Sequence, residues 1–331
     1  TIAVIGMGGS ILGAEAIYNF FKKKVKKKFY FFNDIDENKI KEFKQKEIIS
    51  KTLFIVISKS GYTVETIANS FALNIFKKNS KNIILVSERN NNEIFLLSKK
   101  LNLYFVEHKK NIGGRYSVLS EVGMLPAYLM GLNISKLRSK ILECLKEKNK
   151  KFLKTNTIKL AILMQTKKIR NLIFLNYFPE LEKFLFWSQQ LIAESLGKRK
   201  KGVLPVISNV PKDHHSLLQL YLDGPRDKLF NFFSFENKSK EKFRIQKNNS
   251  LYKKKLDIIK IAQKKALIKS FSKNKISFRE FKIRSINEEV LGKLFSYFII
   301  ETIIVGKLLN INPFDQPAVE QVKIFTRDFL N

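Results

Sequence analysis

Two stretches share one layout: Ile2-Ala3-Val4-Ile5-Gly6-Met7-Gly8-Gly9-Ser10 and Leu53-Phe54-Ile55-Val56-Ile57-Ser58-Lys59-Ser60-Gly61-Tyr62-Thr63. In each, a short run of β-branched and apolar residues enters a turn of glycines or hydroxyls, and a helical stretch follows. Such runs read as strands buried on both faces, as in a parallel sheet. The turn after the strand opens a helix N-terminus, whose exposed N–H groups favour an anion. The first turn alone is weak evidence. The dinucleotide fingerprint needs glycine where Ile11 stands, although Gly13 lies just beyond, and a tight turn without a ligand explains it as well. The second turn sharpens the reading. Ser58, Ser60, Thr63 and Lys59 around a helix start fit a phosphate monoester, which carries several acceptor oxygens and about two negative charges. A helix N-cap accounts for one hydroxyl but not three. Gly9 and Ser10 join them as candidate phosphate-binding residues, at the carboxyl ends of neighbouring strands where α/β folds bind ligands.

The same alternation runs outward along the chain. A helix over Ile11–Phe21 follows the first turn, and strands are expected at Ile83–Val86 and Leu103–Val106. This first unit closes around Gly131, and a lysine-rich connector, Lys146–Lys154, leads to a second. There we expect strands Leu172–Leu175, Leu204–Ile207 and Phe230–Phe235, helices Leu181–Leu196 and Ser216–Leu222, and a strand pair around Ile276–Ile283. Ser285 with Glu288 makes a capping box for the last long helix, which Asn312-Pro313 stops. The expected fold class is α/β: two αβα sandwich domains with parallel sheets, plus C-terminal helices. The boundaries read 1–145, 146–284 and 285–331. Thr1 sits almost inside the first strand with no initiator Met and no signal peptide before it, so the chain reads as lacking an N-terminal segment.

Composition narrows the function classes. Hydrophobic residues make up 44% of the 331, enough for two sizeable cores, so global disorder is excluded. The apolar stretch Leu294–Val305 is broken by Ser296, Glu301 and Thr302 and is too short to span a bilayer, so no membrane partner is expected. One cysteine, Cys144, allows no internal disulfide and fits a reducing compartment; His108, His214 and His215 show no metal-ligand spacing. The 62 Lys and Arg exceed the 29 Asp and Glu, giving +33, which would ordinarily raise nucleic acid as a partner. The lysines are instead spread along the chain. Only Lys22–Lys28, Lys198–Lys201 and Lys253–Lys255 are dense, none interleaves aromatics, and no nucleic-acid motif accompanies them. We read a solvated basic surface that attracts anionic metabolites, with no nucleic-acid partner.

Further residues carry chemistry. Gly113-Gly114-Arg115-Tyr116-Ser117 lets backbone approach a ligand at Gly114 and supplies a cation at Arg115 that can stabilise a developing oxyanion; an ordinary loop arginine is the alternative. Glu194, near the end of its helix and before Gly197, shares a face with Trp187, Gln190 and Leu191. Apolar neighbours favour the basic role that a proton-shuttling carboxylate needs, though most helix glutamates are simply solvated. His214-His215 after Val210-Pro211-Lys212-Asp213 titrate near neutrality, or are surface residues. Asn312-Pro313-Phe314-Asp315-Gln316-Pro317-Ala318-Val319-Glu320 ahead of Lys323 gathers polar residues at a helix end, or is only a stop and a new start.

Taken in order, Ala193–Lys198 (AESLGK), His215–Pro225 (HSLLQLYLDGP) and Asn312–Glu320 (NPFDQPAVE), with SKSGYT and GGRYS, resemble the phosphoglucose isomerase family from the first strand to the C-terminal region, in the pattern of its shorter bacterial members. The phosphate turn alone marks only a sugar-isomerase (SIS) domain. The resemblance implies two SIS domains, a cytoplasmic homodimer with active sites at the subunit interface, and no metal or organic cofactor. It implies that Ser58, Ser60 and Thr63 hold a sugar phosphate, with Lys59, Ser10, Gly9 and Gly114 nearby. Glu194 would shuttle the proton between C1 and C2, Arg115 would stabilise a cis-enediolate, and Gln316 would contact sugar or phosphate. His215, from the neighbouring subunit, and Lys323 would assist ring opening. Two positions depart from the pattern: His214 stands where the family commonly has Gln, and Val322 where it usually has Gly, which would displace the Lys323 ammonium. The rival readings are a bifunctional phosphoglucose/phosphomannose isomerase and a non-catalytic sugar-phosphate sensor, which has no use for Glu194, Arg115 and Lys323 together.

Overall fold

The computed structural model describes residues 1–236, 245, 250–252 and 254–330, so Lys253, within the third basic run, lies outside them. The chain divides into two compact units: Thr1–Cys144 with Phe186–Leu191 and Asn287–Ile299, and Leu145–Leu185 with Ile192–Ile286 and Ile300–Asn331. The fold is α/β throughout, with one parallel sheet in each unit.

In the first unit β1 (Ile2–Gly6), β2 (Phe29–Phe32), β3 (Leu53–Ile57), β4 (Ile83–Ser87) and β5 (Tyr104–Glu107) form a five-stranded sheet in the order β2-β1-β3-β4-β5. Every pairing is parallel. Between strands run α1 (Leu12–Phe21), α2 (Glu37–Lys46), α3 (Val64–Ala72) and α4 (Glu93–Leu101), followed by α5 (Glu121–Leu129) and α6 (Ile134–Ser139). All of β1 is buried, as a strand covered on both faces requires. Ala3, Ile5, Phe54, Val56 and Leu85 pack in one core with Phe43 of α2 and Ile94 of α4. Asp36, Asn92 and Asn133 cap α2, α4 and α6 by accepting a backbone N–H three residues on. The order 2-1-3-4-5 places the reversal of strand order between β1 and β3, where doubly wound sheets bind ligands at their carboxyl ends.

The edge strand β2 has no counterpart in the sequence expectation. Its four aromatics pair with Ile2–Ile5 of β1, and Tyr30 and Phe32 meet Phe43 edge-on, with ring centroids 4.8 and 5.2 Å apart.

In the second unit β6 (Asn171–Asn176), β7 (Leu204–Asn209), β8 (Lys228–Phe235) and β9 (Phe278–Ile283) form a parallel sheet in the order β7-β6-β8-β9. Three expectations need correction. The lysine-rich stretch Lys146–Lys154 is no connector but the opening of α7 (Glu147–Gln165), because Lys is a good helix former and Leu153, Leu160, Ala161 and Met164 supply a buried stripe. The strand pair around Ile276–Ile283 is the single strand β9; Ile276 is buried in the core ahead of it. The helices of this region are α8 (Glu182–Leu196), α9 (Leu218–Asp223), α10 (Leu256–Lys273), α11 (Glu288–Leu308) and α12 (Ala318–Leu330). The cap of α11 is not Ser285 but Asn287, whose Oδ1 accepts from the Val290 N–H at 2.9 Å. Residues 186–191 of α8 and 288–299 of α11 belong to the first unit, where Trp187 meets Phe295 edge-on at 4.7 Å. Among the described residues no helix is long and apolar enough to cross a membrane.

Candidate functional site

The parallel register sets the two turns side by side. Gly6 pairs with Ile57, so the segments starting at Met7 and Ser58 leave adjacent strands at the same level. Gly8 turns the chain at φ +51°, and Ile11 N–H closes the turn on Gly8 C=O at 3.0 Å. A Cβ on Gly9 would lie 2.2 Å from Gly114 C and 2.5 Å from Arg115 N, so the first turn touches the Gly114 turn backbone to backbone. Ser117 Oγ fastens the Gly114 turn by donating to Gly114 C=O at 2.7 Å. Glycine is required at Gly9 by space, and Arg115, 3% exposed, is buried beside it. The Gly9→Ala protein should therefore lose on the order of 1–3 kcal/mol by overpacking, read as a lower urea midpoint with unchanged slope.

In the second turn Ser58 is buried and its Oγ lies 2.8 Å from Thr63 Oγ1. Gly61 N–H donates to Ser58 Oγ at 3.1 Å, and Tyr62 N–H to Ser60 Oγ at 3.3 Å. Thr63 occupies the N-cap of α3, yet its side chain makes no capping bond. Three hydroxyls are thus gathered at the helix start, and Thr63 leaves the first N–H groups of α3 without a side-chain cap, as an anion site there needs. Gly61, at φ +71°, is fixed by space as well: a Cβ there would meet Asn92 Oδ1 at 1.8 Å. Lys59 Nζ donates to Lys110 C=O at 3.1 Å and lies 3.6 Å from Glu88, so it is anchored at the rim.

One residue escaped the sequence reading as a site candidate. Gln190 enters that reading only through the helix face it shares with Glu194, but its Nε2 would lie 2.6 Å from a Cβ on Gly8, so the amide packs onto the first turn. The signal was the spacing from Glu194: four residues earlier places it one helical turn away on the same face.

The remaining candidates belong to the second unit. Glu194 is half-buried in the last turn of α8. Gly197 is the C-cap of α8, at φ −77°; a Cβ there would meet Ala193 C=O at 2.6 Å, so space again demands glycine. Lys198 Nζ hydrogen-bonds Asn312 C=O and, at 2.7 Å, Asp315 Oδ1. That bond holds the Asp315 carboxyl below the usual carboxylate range. The stretches AESLGK and NPFDQPAVE, more than a hundred residues apart in sequence, are therefore tied together. Gln316 is half-buried; Lys323, on α12, is exposed and bonded to Glu320 at 2.6 Å, with Val322 66% exposed beside it.

The two adjacent histidines face opposite ways. His214 Nε2 lies 2.9 Å from the buried Tyr177 hydroxyl, whereas His215 is exposed. Their turn is braced from the ends of β6 and β7: Asn176 Nδ2 donates to Asn209 Oδ1 at 3.0 Å, and Asn209 N–H to Asp213 Oδ2 at 2.8 Å. Burial, and next the nearby His215, push the His214 imidazole down, with Asp213 opposing. An unfolded imidazole, near its usual 6.5, then takes up a proton before the folded one does. Stability should be full above that value and fall as the pH drops below it. Urea midpoints at several pH values should show this decline, and His214→Gln should reduce it.

Among the described residues no group of three His, Cys, Asp or Glu is placed to hold a metal ion. Two parallel αβα units, with glycine and hydroxyl turns at the switch point of the first, define an α/β protein of the SIS type. Residues 1–209 match the phosphoglucose isomerase family, and the chain belongs to that family. It is 33% identical to the glucose-6-phosphate isomerase of Methanocaldococcus jannaschii over 97% of this chain and 82% of that one. Among solved structures, a hypothetical protein from Thermus thermophilus superposes with a TM-score of 0.86 at 26% identity, covering 99% of this chain and 83% of that one. A glucose-6-phosphate isomerase from Chlamydia trachomatis shares the fold, with a TM-score of 0.83 at 19% identity over 99% of this chain and 69% of that one.

Proposed function

We propose that this chain interconverts glucose 6-phosphate and fructose 6-phosphate, as a cytoplasmic homodimer. The observation that carries the reading is the pair of turns at the β1/β3 switch point, with the Ser58 and Thr63 hydroxyls gathered at the start of α3 and a buried Arg115 beside Gly9. Ser58, Ser60 and Thr63 take the substrate phosphate, with Ser10, Gly9, Gly114 and Lys59 around it. Phosphate binding away from the reacting carbons fixes their position, which a weakly acidic C–H bond demands. Glu194 removes the proton from C2 of the open-chain aldose and returns it to C1. Arg115 stabilises the oxyanion of the cis-enediolate, where a fixed cation is most effective. Lys323 and the partner subunit's His215 assist ring opening; the outward direction of His215 and the inward one of His214 support this choice. Gln316 contacts the sugar or phosphate.

The test is conversion of fructose 6-phosphate to glucose 6-phosphate by the purified protein in excess chelator, alongside mannose 6-phosphate. Turnover on the first pair alone is the expected result. Equal activity on mannose 6-phosphate would make it bifunctional, and saturable binding without turnover by a folded dimer would make it a sensor.

A further inference from the structure

The basic run Lys198–Lys201 is not absorbed by the proposed chemistry, and it is not the flat solvated face that composition suggests. It walls a cavity of about 410 Å³, closed on the other side by Asn312, Asp315, Pro317 and Ala318. Two of the four cations are structural: Lys198 holds Asp315 at 2.7 Å, and Lys201 Nζ donates to Leu309 C=O at 2.9 Å. The other two are held differently. Arg199 and Lys200 both take left-handed backbone, at φ 53° and 58°, a conformation costly for residues with a Cβ. Lys201 N–H closes this turn on Lys198 C=O at 2.9 Å, a two-residue turn that needs positive φ at both central positions and sets Arg199 and Lys200 together at its tip. Among the described residues neither cation pairs with a carboxylate. Like charges are thus fixed together around a concavity that Asp315, already committed to Lys198, leaves electropositive.

We propose that this cavity is a second anion site, which takes a compact phosphorylated metabolite with at least two negative charges. Arg199 supplies a planar fork for phosphate oxygens and Lys200 a mobile point charge. A concavity of this size suits a small molecule; a polymer backbone would need an extended basic track. The site shares no residue with the Ser58–Thr63 turn. Its walls are the segments that follow Glu194 and that carry Gln316, so an occupant clamps together two segments on which the proposed isomerase depends. This regulatory consequence rests on the proposed function; the anion site does not.

Calorimetric titration with inorganic pyrophosphate at low salt tests it. Wild type should show two sites per chain. The Arg199→Ala/Lys200→Ala protein should lose one of them, with affinity at least tenfold weaker. Ser58→Ala/Ser60→Ala/Thr63→Ala should lose the other, and Lys26→Ala/Lys27→Ala, a control of equal charge, should lose neither. A single wild-type site that survives Arg199→Ala/Lys200→Ala would overturn the proposal. So would equal losses in the control, or displacement of pyrophosphate by a short single-stranded oligonucleotide with steep salt dependence. Isomerase assays on the same proteins keep the two questions separate: binding at the second site with no turnover in wild type would sink the isomerase and leave this site standing.

Discussion

Replacing Glu194 by Gln should lower turnover by roughly 10²–10⁴-fold, the usual contribution of a positioned proton carrier. The amide keeps the size and hydrogen-bonding reach of the carboxylate but cannot accept the C2 proton. The residue is half-buried in the last turn of α8, where its neighbours Leu191, Ser195 and Leu196 are fully buried. The backbone there is held by packing, so the substitution should leave the fold and the urea midpoint unchanged. Because phosphate binding is assigned to the β1 and β3 turns, the KM for fructose 6-phosphate should stay within a few fold. A loss of this size in kcat with KM preserved is what removal of a group acting only in the transition state looks like. A large rise in KM at constant kcat would instead make Glu194 a binding residue.

The largest effect on stability is expected at Glu301. This carboxylate is 3% exposed and accepts two hydrogen bonds from Arg279, from Nη1 at 2.6 Å and Nη2 at 2.9 Å. Arg279 Nε also donates to Asn231 Oδ1 at 2.7 Å, and its guanidinium lies 5.1 Å from the Phe281 ring centroid. Glu301→Ala strands the Arg279 charge in the interior, at a cost of roughly 3–5 kcal/mol. Thermal unfolding should shift down by roughly 4–7 °C, at about 1.4 °C per kcal/mol for a chain of 331 residues. The double replacement Arg279→Met/Glu301→Leu should recover most of that, because an apolar pair of similar volume avoids the desolvation of both charges. If the single and double variants are equally destabilised, packing and not charge is what the pair contributes.

Local patterns carried most of the architecture. Apolar runs followed by glycine or hydroxyl turns placed β1, β3 and β4 within a residue, and both turns sit at the switch point that this pattern implies. Elements without such punctuation were not legible. β2 lacks a turn signal because it emerges straight from the basic run ending at Lys28, and its burial depends on β1 alongside. The 18-residue α10 buries only Leu267 and Phe271, too few apolar positions to mark a helical stripe. Lysines misled at α7, where they stand on the exposed side of a helix.

Of the candidate site, residue types in motifs were readable, but relations between distant residues were not. Nothing in the sequence ties Lys198 to Asp315, packs Gln190 on Gly8, or turns His214 inward onto Tyr177 while His215 faces out. Such pairings are made by tertiary packing, which composition and spacing do not encode locally.

The most direct test of the account is to convert fructose 6-phosphate in D₂O and read the product by NMR. Proton transfer through a carboxylate exposes the proton to exchange, so glucose 6-phosphate carrying deuterium at C2 is the predicted result. Failure of a folded protein to form product, or product formed by Glu194→Gln at the wild-type rate, would contradict it.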